Sequence, residues 1–126
     1  MTSASTPPSA RVLVIEDEMT IVVMIEESLQ RLGAKIIGPA SLVDAGLRLA
    51  RETQIDAAVL DIHIRGGDSY PVADVLAERG IPFVFCSGYG DWAIEERHRH
   101  RPRLMKPFTA GDLEAQVLEL LGARPG

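Results

Sequence analysis

Residues 12–18 read VLVIEDE. Val12 to Ile15 form a short, β-branched apolar run, the pattern of a strand covered on both faces. Glu16, Asp17 and Glu18 follow at once. Adjacent carboxylates repel one another and resist burial, so a buried strand that runs into them points to a site at its end.

Outward from this stretch, apolar strands alternate with amphipathic helices. The first strand is read as Arg11 to Ile15, followed by a helix from Met19 to Leu32. That helix carries Val22, Val23, Ile25, Leu29 and Leu32 on its apolar side and is closed by Gly33. KIIG is a second strand. Ser41 is positioned to cap the next helix, which presents Leu42, Ala45, Leu49 and Ala50 and ends near Thr53. AAVLDI is the third strand. After the turn RGGDS, Asp68 or Ser69 can cap a helix that stops at Gly80. IPFVFCS is the fourth strand, the polar stretch 91–101 holds at most a short helix, and RLM is the fifth strand. A last helix, TAGDLEAQVLELL, turns Leu113, Val117, Leu120 and Leu121 inward.

Five strand-then-helix units predict an α/β domain with a parallel sheet. Right-handed crossovers suit a flavodoxin-like, three-layer sandwich with strand order 2-1-3-4-5 and a short or irregular fourth helix. The domain is expected over 10–122, with a disordered leader at 1–9 and a frayed tail at 123–126. The leader lacks the basic start and apolar centre of a signal peptide.

The totals narrow the function. The chain has 126 residues, enough for one domain, with 46% hydrophobic and 25% charged residues. Its net charge of −5 does not point to a nucleic-acid partner. No apolar run approaches the ~20 residues needed to span a bilayer, so no membrane role is expected. The single cysteine, Cys86, sits in an apolar stretch and reads as a small core residue, in keeping with a reducing cytoplasm.

The residues that close the strands carry the chemistry. Strand one ends in Glu16 and Asp17, strand three in Asp61, strand four in Ser87 and strand five in Lys106. In a 2-1-3-4-5 sheet the first and third strands are neighbours, so their carboxylates converge on the crevice beyond the strand ends. Clustered carboxylates call for a cation, and oxygen donors alone favour a hard ion such as Mg²⁺. An ammonium and a hydroxyl beside a metal suit a phosphoryl group. Asp61, central in this set, is the candidate nucleophile.

Four motifs, VIEDE, VLDIHIRGG, FCSG and MKPF, at the strand ends and in this order, resemble the receiver domain of bacterial two-component response regulators. The likeness covers about residues 10–121. It implies that Asp61 accepts phosphate from a sensor histidine kinase or histidine phosphotransfer protein. It also implies that Asp17, Asp61 and the backbone carbonyl of His63 hold Mg²⁺, with Glu16 assisting, often through water. Ser87 would be the switch hydroxyl and Lys106 the phosphoryl contact, with a cis Lys106–Pro107 bond. FCSGYG is similar to the Phe-Ala-Thr-Gly-X-Tyr signature of an alphaproteobacterial single-domain subgroup, with Cys86, Ser87 and an early Tyr89 as departures. The resemblance implies a single-domain regulator that signals by phosphorylation-dependent binding of a downstream protein or drains phosphate from a shared kinase.

One departure bears on mechanism. Most receivers have an aromatic residue three places before the lysine, and here that place is Arg103. Arg103 is expected to stay solvated or pair with an acid, because a buried guanidinium without a partner is costly. The signal would then leave through residues 88–101, with Tyr89 and Trp92 either in the core or on a partner surface. His98 and His100, in EERHRHRP, read as part of a solvated charged loop, and Glu18 as a solvated helix start favoured by the macrodipole. Two other functions compete. A phosphatase-like hydrolase would pair its Asp nucleophile with an acid two residues on, where this chain has His63. A pseudo-receiver that only binds proteins would not need Asp17, Asp61 and Lys106 together.

Overall fold

A computed structural model describes residues 10–88 and 94–122. Strands β1 (Arg11–Ile15), β2 (Lys35–Ala40), β3 (Ala57–Asp61), β6 (Phe83–Ser87) and β7 (Arg103–Met105) form one sheet; β4 (His63–Ile64) and β5 (Gly67–Asp68) form a separate hairpin. The sheet order is β2-β1-β3-β6-β7, and every pairing is parallel. With the hairpin set aside, this is the expected 2-1-3-4-5 order.

Strict alternation along the strands builds two cores. Leu13, Ile15, Ala58, Leu60, Phe83 and Phe85 face one layer, packed with Ala50 of α2 (Val43–Glu52) and Val72, Ala73 and Leu76 of α3 (Tyr70–Glu78). Val12, Val14, Ala57, Val59, Val84 and Cys86 face the other, with Ile25 and Leu29 of α1 (Met19–Arg31) and Leu113, Val117 and Leu120 of α4 (Ala110–Gly122). Cys86 is fully buried, as its neighbours in the sequence implied.

Gly33 and Gly80 have φ of +78° and +72° and close α1 and α3 in the left-handed conformation that glycine adopts without steric cost. Asp68 Oδ1 accepts a hydrogen bond from Tyr70 N–H at 3.3 Å, so Asp68, not the Ser69 hydroxyl, serves the start of α3. The Ser41 cap is not formed. Leu42 occupies the cap position in extended backbone and bridges to Arg65, which shifts the helix start by one residue.

The inward face of α2 keeps Leu49 and Ala50, as expected, and departs from expectation in its first half. Gly46 and Ala50 are buried, while Leu42 and Ala45, expected inside, are exposed. Val23 is likewise exposed, because the buried stripe of α1 runs through Val22, Ile25 and Leu29. Among the described residues between β6 and β7, a single 3₁₀ turn at Glu96–His98 stands where a fourth helix would be. No helix among the described residues is long and apolar enough to cross a membrane.

Candidate functional site

The C-terminal ends of β1, β3 and β7 bring the acids and the lysine together, and Ser87 closes β6 beside them, its backbone oxygen bonded to Lys106. Glu16 continues the edge of β1: its N–H donates to Ala40 O at 3.0 Å, and its side chain is buried. Asp61, the last residue of β3, is 7% exposed and lies in register with Cys86. Asp17 is half-buried. Carboxylate oxygens of Glu16, Asp17 and Asp61 all lie within 4.8 Å of one another.

Lys106 reaches into this cluster. Its Nζ is 3.1 Å from Asp61 Oδ2, 3.1 Å from Glu16 Oε1 and 3.8 Å from Glu18 Oε1. Its backbone N–H donates to Ser87 O at 2.7 Å, and the Lys106–Pro107 bond is cis, as is Gly38–Pro39. Ser87 is buried, and its Oγ has no hydrogen-bond partner among the described residues. Glu18 stays exposed as the cap residue of α1, as the sequence implied, but its N–H also donates to Glu16 Oε2 at 3.1 Å. His63 opens the β4–β5 hairpin two residues beyond Asp61, with its side chain exposed.

The electrostatics follow from this crowding. Burial, and then the charge of Asp61, push the Glu16 carboxyl up to about 7, although Lys106 and the Glu18 N–H pull the other way. Burial alone would lower the Lys106 pKa, but the charges of Asp61 and Glu16 outweigh it and raise it. One ammonium therefore serves two buried carboxylates, and Glu16 remains short of positive charge. A hard divalent cation fits this donor set, which offers carboxylate oxygens and neither sulfur nor imidazole.

His98 departs from expectation. It does not lie in a solvated loop but is 2% exposed, inside an aromatic cluster. Its ring is parallel to that of Tyr70, with centroids 6.0 Å apart, and edge-on to Phe83 and Phe85 at 5.8 and 5.7 Å. Nε2 is 2.8 Å from Asp74 Oδ1. The sequence carries one signal for this: Tyr70 and Asp74 stand four apart on α3, so ring and carboxylate share a helix face. His100 is exposed, as expected, and so is Arg103, whose strand position pairs with Phe85. Tyr89 and Trp92 lie outside the described residues.

No family model matches the chain. SdrG from Sphingomonas melonis is 40% identical, with a TM-score of 0.80 over 94% of this chain and 100% of that one. The BeF3-activated conformation of SdrG matches at 38% identity and a TM-score of 0.74, covering 92% and 99%. A response regulator receiver protein from Sinorhizobium medicae is 28% identical, with a TM-score of 0.82 over 93% and 98%. Among curated proteins, the phyllosphere-induced regulator PhyR of Methylorubrum extorquens is 27% identical over 117 residues, 90% of this chain and 44% of PhyR. The chain spans about half the length of the curated relatives it matches.

Proposed function

The chain belongs to the receiver-domain family of response regulators, and on that premise we propose that Asp61 is its phosphoacceptor. The donor is a phosphohistidine on a sensor histidine kinase or a histidine phosphotransfer protein. An Asp61 carboxylate oxygen attacks phosphorus, the P–N bond breaks, and its electron pair leaves with the imidazole, giving an aspartyl phosphate.

The observation that carries this reading is the position of Lys106, 3.1 Å from Asp61 on the crevice side of the sheet. An ammonium there neutralises the nucleophile at rest and stabilises phosphoryl oxygens during transfer. Ser87 can donate its buried hydroxyl to a phosphoryl oxygen, which would satisfy a group that has no partner among the described residues. Asp17, Asp61 and the His63 carbonyl would hold Mg²⁺, with Glu16 beside it, and the metal would supply the charge that offsets carboxylates and phosphoryl together. The output is phosphorylation-dependent binding of a downstream protein, or removal of phosphate from a shared kinase. Chemistry beyond self-phosphorylation and self-dephosphorylation is not expected, because His63 occupies the place of a hydrolase's second acid.

The test is an intact mass after incubation with Mg²⁺ and acetyl phosphate. One phosphoryl adduct, lost in Asp61→Asn, supports the reading. Steady phosphate release without an adduct would instead indicate a hydrolase, and no reaction a protein-binding pseudo-receiver.

A further inference from the structure

Ser87 and the segment 94–101 are linked through one aromatic cluster. Phe83, Phe85 and Ser87 alternate along β6, which places their side chains on the same face of the sheet. The Phe85 ring touches Tyr70 at 5.9 Å and His98 at 5.7 Å between centroids. A shift of Ser87 toward a phosphoryl group would therefore bear on the ring two residues earlier and, through it, on His98.

The segment is held to α3 largely by one carboxylate. Asp74 accepts two hydrogen bonds from Arg97, at 2.8 and 2.9 Å, and one from His98 at 2.8 Å. A carboxylate only accepts, so Nε2 of His98 carries the proton. Glu95 N–H adds a bond to the Tyr70 hydroxyl at 3.3 Å, and Ile94 is buried in the same core. The fit has a defect: His98 Nδ1 is buried with no hydrogen-bond partner among the described residues. A phenyl ring would fill that space without leaving a polar atom unsatisfied. An imidazole there is held by Asp74 and penalised by its surroundings, which suits an arrangement that can open.

We infer that the His98–Asp74 contact is a latch that closes residues 94–101 onto α3 in the unphosphorylated protein, and that phosphorylation at Asp61 opens it. His98 thereby takes over the coupling that an aromatic residue at position 103 would otherwise provide. The inference rests on the phosphoacceptor reading above.

Linkage makes it testable: if occupancy of Asp61 favours the open latch, opening the latch must tighten binding at Asp61 by the same factor. Asp74→Ala removes the latch at a side chain that is 45% exposed, so no core cavity results. His98→Ala removes both the hydrogen bond and the ring packed against Tyr70, Phe83 and Phe85. Arg31→Ala, which breaks the exposed Arg31–Glu114 pair between α1 and α4, is the control. Beryllofluoride with Mg²⁺ is the phosphoryl mimic. Asp74→Ala and His98→Ala are expected to bind it about five-fold tighter or more, with Arg31→Ala unchanged. In the wild type, beryllofluoride should speed amide exchange across 94–101. If the wild type binds the mimic but the two variants bind it no tighter, or if exchange across 94–101 stays the same, the latch is overturned and the phosphoacceptor stands. If the wild type does not bind it at all, both fall.

Discussion

Lys106 holds its ammonium 3.1 Å from Asp61 Oδ2 while its own backbone N–H is bonded to Ser87 O at 2.7 Å. One residue thus ties the ends of β3, β6 and β7 together and supplies the positive charge nearest the buried carboxylates. Removing it should have opposite effects on folding and on the proposed metal binding. Lys106→Ala leaves Asp61 and Glu16 unpaired and should destabilise the metal-free protein by about 3 kcal/mol. The same change removes the cation that competes with Mg²⁺, so Mg²⁺ affinity should rise even as phosphorylation slows ten-fold or more. Urea unfolding with and without Mg²⁺ measures both; weaker Mg²⁺ binding in Lys106→Ala would contradict this account.

Glu16 gives the metal-free protein a pH dependence of definite sign. Its carboxyl is pushed from 4.5 to about 7 on folding, chiefly by burial. Between those values the folded protein keeps a proton that the unfolded chain has released. Stability therefore falls as pH rises through this window and levels off above it, by a total on the order of 3 kcal/mol. Glu16→Gln should flatten the difference between pH 5 and pH 8, and Mg²⁺ should reduce it by favouring the ionised form. Identical slopes for wild type and Glu16→Gln would show that Glu16 is not the group responsible.

Asp17 is half-buried, and what marks it is its position within 4.8 Å of Glu16 and Asp61. As a proposed direct ligand it contributes a full charge to the cation, so Asp17→Ala should weaken Mg²⁺ binding at least ten-fold. Its stability without metal should change little or improve, since the variant relieves repulsion among acids. Calorimetric titration with Mg²⁺ decides the matter, and an unchanged affinity would remove Asp17 from the site.

Much of this was legible from residues alone, for a physical reason. Strands that are apolar on both faces and end in a charged or polar residue announce both the sheet and the edge where those end residues gather, so the positions of Asp61, Ser87 and Lys106 at the strand ends are readable in the sequence. Helix faces were less legible: Leu42 takes the cap position of α2 in extended backbone, bridged to Arg65, and is exposed with Ala45 instead of lying inside. His98 was hidden for another reason. Its burial depends on Tyr70, Asp74, Phe83 and Phe85, contacts between distant segments that leave no period in the local sequence around EERHRHRP.

Buried His98 and exposed Arg103 should differ sharply in what they contribute to stability. His98 is 2% exposed and packed against Tyr70, Phe83 and Phe85. Truncation to alanine opens a cavity the size of a ring and frees Asp74 from one hydrogen bond, which should cost about 2–4 kcal/mol. His98→Phe refills the cavity and removes the unsatisfied Nδ1, so most of that loss should be recovered. Arg103 is exposed on a three-residue strand, and Arg103→Ala should fall within about 0.5 kcal/mol of wild type. Urea midpoints for the three variants test the order directly. Were Arg103→Ala to prove as damaging as His98→Ala, the ring that supports this end of the sheet would have to be sought elsewhere.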